Sequence, residues 1–238
     1  ALTMTIASST SGVTSGATTN DGTIALTFTS SESTTSLTST DVTVTGGTIS
    51  SFDGSGTGYT ATFTPASGSS SDATYTISIG AGTFTDGAGN SNTASNSFTW
   101  TYDSTNPTMV IASTTSGVTS GATTNDATIA LTFTSSESTT DLVVGDITVS
   151  AGSLSSFAGS GTDYTATFTP GSDATYTISI AANAFTDAPG NQNTVSNTFT
   201  WISDQADDPS ITSSGGTSAT EDSAYSYSVT ATDADDGA

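Results

Sequence analysis

The sequence predicts an all-β fold built from tandem antiparallel β-sandwiches. Stretches such as TIALTFTSS, GYTATFTP and ATYTISI place apolar residues at every second position among Thr and Ser, which is the period of strands that are buried on one face. Leu, Ile, Val and Phe make up about 16% of the chain, a composition typical of disordered proteins. Composition takes no account of the order of residues along the chain. Because the alternation is typical of strands with one buried face, we predict that the chain folds despite its composition.

The chain also repeats itself after roughly a hundred residues, which is the length of one sandwich domain. An offset of 105 residues aligns the two repeats, and it becomes 101 after the loop PASGSSSD shortens to PGSD. We therefore divide the chain into a first repeat at residues 1–105, a second at 106–206, and the start of another module at 207–238. The aligned pairs include Met4 and Met109, Glu32 and Glu137, Phe52 and Phe157, Pro65 and Pro170, Asp86 and Asp187, Trp100 and Trp201, and Asp103 and Asp204.

Seven strands are predicted in the first repeat from the alternation and from the turn residues between apolar stretches. They are expected near residues 3–7, 23–29, 41–45, 48–52, 58–64, 73–79 and 94–102. The alternation in SFTWTY places Phe98 and Trp100 on the same face of the last strand. The whole inward-facing set is Ile6, Ile24, Leu26, Phe28, Val42, Val44, Ile49, Tyr59, Phe63, Tyr75, Ile77, Ile79, Phe98 and Trp100.

The charge of the chain excludes several classes of function. The sequence has 22 acidic residues, no Lys, Arg, His or Cys, and a net charge of -22. Such a polyanion repels nucleic acid and anionic membrane surfaces, so we exclude nucleic-acid binding. The missing side chains remove the usual base for a Ser nucleophile, the thiolate, the Schiff-base amine and nitrogen or sulfur ligands for zinc. The acids do not suggest the carboxylate pair of a glycosidase, and we predict that the protein is not an enzyme.

Membrane insertion is not expected in this segment. No apolar run is long enough to cross a membrane, and the start, ALTMTIASST, lacks the charged and apolar regions of a signal peptide. The end, TDADDGA, stops within a pattern of strand and loop residues. We interpret the chain as a segment of a longer protein.

Residues 1 to about 204 resemble the bacterial Ig-like repeats of giant surface adhesins and other secreted repeat proteins. The resemblance rests on the order of FTSSE, DVTVTGGTISSFDGSGTGYTATFTP, AGTFTDGAGN and YDSTNPT, and on DITVSAGSLSSFAGSGTDYTATFTP, ANAFTDAPGN and ISDQADDPS in the second repeat. DATYTISI, which starts at Asp72 and again at Asp173, places a Tyr as in the tyrosine corner of Ig-like sandwiches. The final segment, PSITSSGGTSATEDSAYSYSVTATDADDG, resembles the opening strands of a cadherin-like or Ig-type module. These resemblances imply an extracellular or cell-surface location, rod-like arrays of repeats, and calcium at domain junctions.

Clustered acids are candidates for a metal site, because no carboxylate of this chain has a basic side chain as a partner. If consecutive strands alternate in direction, the loops SSESTTS, FDGSGTG and FTDGAGN lie at the N-terminal end of the first sandwich. The acids and amide expected to converge there are Glu32, Asp53, Asp86 and Asn90. The linker YDSTNPT leaves the opposite end and runs into the second repeat. At that junction the candidate ligands are Asp103, Glu137, Asp187 and Asn191, and such oxygen donors suit Ca²⁺.

A plainer interpretation stays open for each cluster. Asp, Gly and Asn are common turn residues, so FTDGAGN and its copy FTDAPGN could serve only to turn the chain. No linker acid precedes the first copy in this chain, and we expect that copy to turn the chain while the copy at Asp187 holds calcium. A second cluster of acids is also a candidate calcium site. In the plainer interpretation, this cluster is only a solvated acidic linker. Its residues are Asp204, Asp207, Asp208, Asp233 and Asp235.

The leading hypothesis is structural and adhesive. The chain would supply Ig-like spacer modules of a large extracellular or cell-surface repeat protein, with neighbouring repeats of the same chain as partners and calcium stiffening the junctions. Two alternatives stay open. The chain could be a subunit of a multi-chain filament or appendage in which identical chains pack through sheet edges, or a domain that binds surface glycans.

Overall fold

The computed structural model describes the chain except residues 67–71, 140, 206–209, 217, 225 and 233–238. The described residues form an all-β protein, so the predicted fold class is confirmed. They divide into two compact units. The first consists of Ala1–Pro107 with Phe185–Asn193, and the second of Thr108–Ala184 with Thr194–Ala238.

Two sheets form the sandwich of the first unit. The three-stranded sheet contains, in spatial order, β1 (Met4–Ser8), β3 (Ile24–Thr34) and β5 (Gly47–Pro65). The four-stranded sheet contains, in spatial order, β2 (Ala17–Thr19), β7 (Phe98–Tyr102), β6 (Ala73–Ile79) and β4 (Val42–Val44), with a single 3-10 turn at Ser39–Asp41 before β4. The strands pair antiparallel except for β2 and β7, which are parallel.

The second unit repeats this architecture. Its three-stranded sheet contains, in spatial order, β12 (Ser153–Thr169), β10 (Ile129–Thr139) and β8 (Met109–Ser113). Its four-stranded sheet contains β11 (Ile147–Val149), β13 (Ala174–Ile180), β14 (Phe199–Ser203) and β9 (Ala122–Thr124), and a 3-10 turn spans Val144–Asp146. A further pair, β15 (Ser210–Ile211) and β16 (Ala231–Thr232), is antiparallel. The assignment of residues 207–238 to a cadherin-like module stays a prediction.

The core of the first unit lies between its two sheets, around Trp100. The Trp100 side chain is fully buried, and its ring centroid lies 6.1 Å from that of Phe63 and 5.8 Å from that of Tyr75. Every residue of the predicted inward-facing set is buried except Val44 and Ile49, which are half-buried. The alternation therefore predicted which face of each strand packs into the core.

The last predicted strand begins later in the structure than expected, for a physical reason. The last strand was expected from residue 94, but β7 begins at Phe98. Before it, the Asn96 side chain takes the place of a paired strand, because its Oδ1 accepts from the Ile6 N–H (2.7 Å) and its Nδ2 donates to the Ile6 oxygen (2.9 Å). The short strand β2 has no counterpart in the prediction.

The predicted strands 48–52 and 58–64 are two halves of β5, which folds back on itself. The Ala66 amide donates to the Gly46 oxygen (2.8 Å), and the rings of Phe52 and Tyr59 stack with centroids 5.7 Å apart. A Cβ on Gly54 would lie 2.4 Å from the Gly58 oxygen, so only glycine fits at this fold-back.

The tyrosine corner is confirmed in the second unit. The Tyr176 hydroxyl accepts from the amides of Gly171 and Ser172 (both 3.0 Å) and donates to the Ser172 oxygen (2.5 Å). The hydrogen bond with the Ser172 main chain lowers the pKa of Tyr176. No helix in the described part of the chain is long and apolar enough to cross a membrane.

Candidate functional site

The first copy of the repeated motif forms a closed turn around one carboxylate. Asp86 Oδ1 accepts from the amides of Ala88 (2.9 Å) and Asn90 (2.8 Å), and its Oδ2 accepts from Asn90 Nδ2 (2.9 Å). The Asn90 side chain and amide hold the pKa of Asp86 below its ordinary value. Asp86 is buried while Asn90 is exposed. These contacts account for this copy of the motif as a turn.

The second copy makes the same turn in a more buried setting. Asp187 Oδ1 accepts from the amides of Gly190 and Asn191 (both 2.7 Å), and its Oδ2 accepts from Asn191 Nδ2 (3.0 Å). Asn191 is 7% exposed and also donates from Nδ2 to the Asp103 oxygen (3.4 Å). This last contact joins the turn to the end of β7.

The end of β7 holds Asp103 in place through its pairing with β2. The Asp103 amide donates to the Thr19 oxygen (3.1 Å), and Trp100 Nε1 donates to Thr19 Oγ1 (3.0 Å). Asp103 Oδ1 accepts from the Thr105 amide (2.9 Å). A carboxylate oxygen of Asp103 lies within 4.8 Å of one of Asp187, and each side chain is only 4% exposed.

Two buried carboxylates at this separation are electrostatically costly without a cation. For two ionised groups the Coulomb repulsion alone is about 3 kcal/mol at an effective dielectric constant of about 20, and the hydrogen bonds to Asp103 and Asp187 offset part of it. The sequence supplies no Lys, Arg or His to offset it. Asp103 and Asp187, both in the first unit, are acidic side chains that could contribute ligands to a metal ion. Their donors are carboxylate oxygens, which fit a hard cation such as Ca²⁺.

The other predicted ligands lie in several different settings. Glu137 is half-buried near the end of β10, and Glu32 is exposed near the end of β3. Asp204 is exposed, and its amide donates to the Thr124 oxygen (3.1 Å). Among the described residues, neither Glu32, Asp86 nor Asp204 belongs to a group of three acids that could hold a metal ion. Four predicted ligands lie outside the described residues: Asp207, Asp208, Asp233 and Asp235.

One residue that supports the turn was missed in the sequence. The Asn20 amide donates to the Pro189 oxygen (3.3 Å), and the Asn20 side chain lies 3.3 Å from where a Cβ on Gly190 would stand. Asn20 follows β2, and the same residue type recurs at Asn125 in the second repeat. The recurrence of Asn at this position could have indicated a structural role for Asn20. It was not recognised because β2, the strand before Asn20, has only three residues and was not predicted.

The bacterial Ig-like domain family matches the chain twice, at residues 1–102 and 103–202. Among solved structures, InvD of Yersinia pseudotuberculosis is 12% identical with a TM-score of 0.37, over 90% of this chain and 60% of that one. The Escherichia coli adhesin FdeC is 14% identical with a TM-score of 0.38, over 89% of this chain and 67% of that one. The Yersinia pseudotuberculosis adhesin InvE is 15% identical with a TM-score of 0.29, over 85% of this chain and 58% of that one.

The chain thus spans about three fifths of the solved chains of InvD and InvE. No curated protein matches it. The two family matches together cover most of the sequence, in keeping with the two similar arrangements of strands. The protein belongs to the bacterial Ig-like domain family.

Proposed function

We propose that the chain is a structural and adhesive segment of a large extracellular or cell-surface repeat protein. Two consecutive Ig-like domains support this proposal, because each sandwich buries its own core and can be repeated along a longer chain. Thr and Ser occupy many outward strand positions, and a surface of hydroxyls with a net charge of -22 stays hydrated and soluble in long arrays. No catalytic step is proposed for the chain.

The calcium proposal rests on a single observation: Asp103 and Asp187 are buried carboxylates close to each other in a chain without basic residues. Asp103, Asp187 and Glu137 would supply carboxylate oxygens, and the Asn191 amide oxygen a further ligand. A bound Ca²⁺ would neutralise the repulsion between the carboxylates. Since Glu137 belongs to the second unit, ligation by this residue would also stiffen the junction between the repeats.

Thermal unfolding with calcium and with chelator tests the metal site. At a calcium concentration about 100 times Kd, the expected gain in stability is about 2.7 kcal/mol, which raises the Tm by several degrees. Asp187→Asn should remove the response, whereas Asp86→Asn changes the same motif in the first repeat and should keep it. An unresponsive wild-type protein, or a full response in Asp187→Asn, would sink the calcium proposal.

Solution scattering tests the stiffening separately. The distribution of molecular lengths should narrow when calcium replaces chelator, because the ion would restrict motion between the repeats. Glu137→Gln should remove this narrowing, while the corresponding Glu32→Gln in the first repeat should not. A distribution that is the same with and without calcium would refute stiffening even if calcium raises the Tm.

The proposed location is tested by labelling intact producing cells with an antibody to this segment. A spacer of a surface protein should be labelled without permeabilising the cells. Labelling that requires permeabilisation would contradict the extracellular location while leaving the calcium proposal standing.

A further inference from the structure

A cleft of about 430 Å³ opens on the second unit, beside the fold-back of β12. This volume lies within the range of small-molecule sites. Its lining includes the half-buried Phe157, the nearly fully buried side chains of Leu142 and Tyr164, and the hydroxyl groups of Ser138 and Ser160. None of the described residues that line the cleft is charged, although the chain as a whole carries a net charge of -22.

The walls of this cleft are held by contacts within the second unit. The Tyr164 hydroxyl donates to the Thr139 oxygen (2.9 Å), and the Tyr164 ring stacks on Phe157 with centroids 5.7 Å apart and planes at 11°. Gly159 has a φ of +133°, and a Cβ there would lie 2.3 Å from the Asp163 oxygen. Only glycine fits at this point of the fold-back, and the stacking and the hydrogen bond of Tyr164 fix the aromatic wall. Less conformational entropy is therefore lost when a ligand binds to this wall.

We propose that this cleft binds a neutral pyranose sugar of a surface glycan. A pyranose has a face of C–H groups, which can lie against the exposed part of Phe157, and a rim of hydroxyls. Those hydroxyls can exchange hydrogen bonds with Ser138, Ser160 and the main chain of the fold-back. An anionic sugar would find no positive charge and would be repelled by the net charge of the protein. This binding site goes beyond the spacer function proposed above.

The first repeat provides an internal comparison for this proposal. Ala158, which lines the cleft, stands where the first repeat has Asp53. Val143 and Val144, which directly follow Leu142, are 55% and 45% exposed and replace Thr38 and Ser39 of the first repeat. The second repeat thus has less polar residues at and beside the cleft, which favours contact with the apolar face of a ligand.

Saturation-transfer NMR on the full chain tests the proposal with four probes. These are the methyl glycosides of glucose, mannose and galactose, and N-acetylneuraminic acid as an anionic sugar. We expect transfer to at least one neutral glycoside and none to the acid, both with calcium and with chelator. No transfer to any neutral glycoside, or equal transfer to the acid, would overturn the proposal.

A matched pair of variants locates the binding. Ala158→Asp introduces into the cleft the residue that the first repeat has at the same position, Asp53, so the variant should fold. The variant should bind the neutral glycoside at least tenfold more weakly. Asp53→Ala in the first repeat should leave the affinity unchanged. Wild-type affinity in a folded Ala158→Asp protein would overturn the assignment to this cleft. Sugar binding is also measured in chelator, where no calcium is bound. A negative result would therefore refute the sugar site without bearing on the calcium proposal.

Discussion

Asn191 donates a hydrogen bond from Nδ2 to the main-chain oxygen of Asp103 at 3.4 Å, across 88 residues of sequence. The same Nδ2 donates to Asp187 Oδ2 at 3.0 Å. In the first repeat, Asn90 donates to Asp86 Oδ2 at 2.9 Å from an exposed position. Two copies of one motif therefore share a turn but differ in what surrounds it, and the difference is measurable.

The first prediction compares the two amides. Asn191→Ala removes a buried donor and leaves the Asp187 carboxylate short of a partner, so we expect the free energy of unfolding to fall by about 1–3 kcal/mol. Asn90→Ala removes the same bond at an exposed position, where water can replace it, and should cost about 1 kcal/mol or less. Urea unfolding followed by Trp fluorescence measures both losses. Equal losses would show that the contact with Asp103 adds no stability.

The sequence allowed most of the fold to be predicted because burial on one face leaves a period of two along each strand. It did not predict β2, since Ala17–Thr19 is defined by its parallel pairing with β7 and not by a local pattern. The start of β7 was also misplaced, because the Asn96 side chain substitutes for strand pairing with Ile6. In both cases a partner about 80 or more residues away decides the local structure.

The candidate site could be predicted in part for a related reason. Strand direction alone suggested that Asp187 and Asn191 approach the linker acid Asp103, and the structure brings these three residues together. The local sequence could not distinguish the surroundings of Asp86 from those of Asp187, because both form the same turn. The distinction comes from burial, which depends on residues far away in the sequence.

The second prediction concerns the glycine of the motif. Gly190 and Gly89 both have positive φ (+105° and +87°), so alanine is strained at either position. A Cβ at position 190 would also lie 3.3 Å from the Asn20 side chain, while nothing lies within 4 Å at position 89. Gly190→Ala should therefore lower the free energy of unfolding more than Gly89→Ala, which should cost about 1 kcal/mol. Urea unfolding gives the comparison, and a larger loss in Gly89→Ala would refute the role of Asn20.

The third prediction is a pH dependence. Hydrogen bonds from Asn90 lower the pKa of Asp86 below its ordinary value of 3.8. Since the folded pKa is the lower one, ionised Asp86 contributes stability above the ordinary value, and this contribution is lost as the pH falls through the folded pKa. Asp86→Asn removes the titration, so its stability deficit should be largest near neutral pH and shrink in acid. Urea midpoints over a pH series test this, and a deficit that is constant with pH would contradict it.

The last prediction tests the tyrosine corner. Tyr176→Phe keeps the buried ring but leaves the amides of Gly171 and Ser172 without the hydroxyl that accepts from them. We expect the free energy of unfolding to fall by about 0.5–1.5 kcal/mol, the net contribution of a hydrogen bond, because Gly171 and Ser172 are exposed and water can replace part of what the hydroxyl supplies. The matched control is Tyr227→Phe, whose hydroxyl donates to Ser213 Oγ (2.6 Å) from a side chain that is 40% exposed. Water can replace that bond, so the control should change stability by less than about 0.5 kcal/mol. Urea unfolding distinguishes the two variants, and an unchanged Tyr176→Phe protein would mean that the corner contributes shape but no stability.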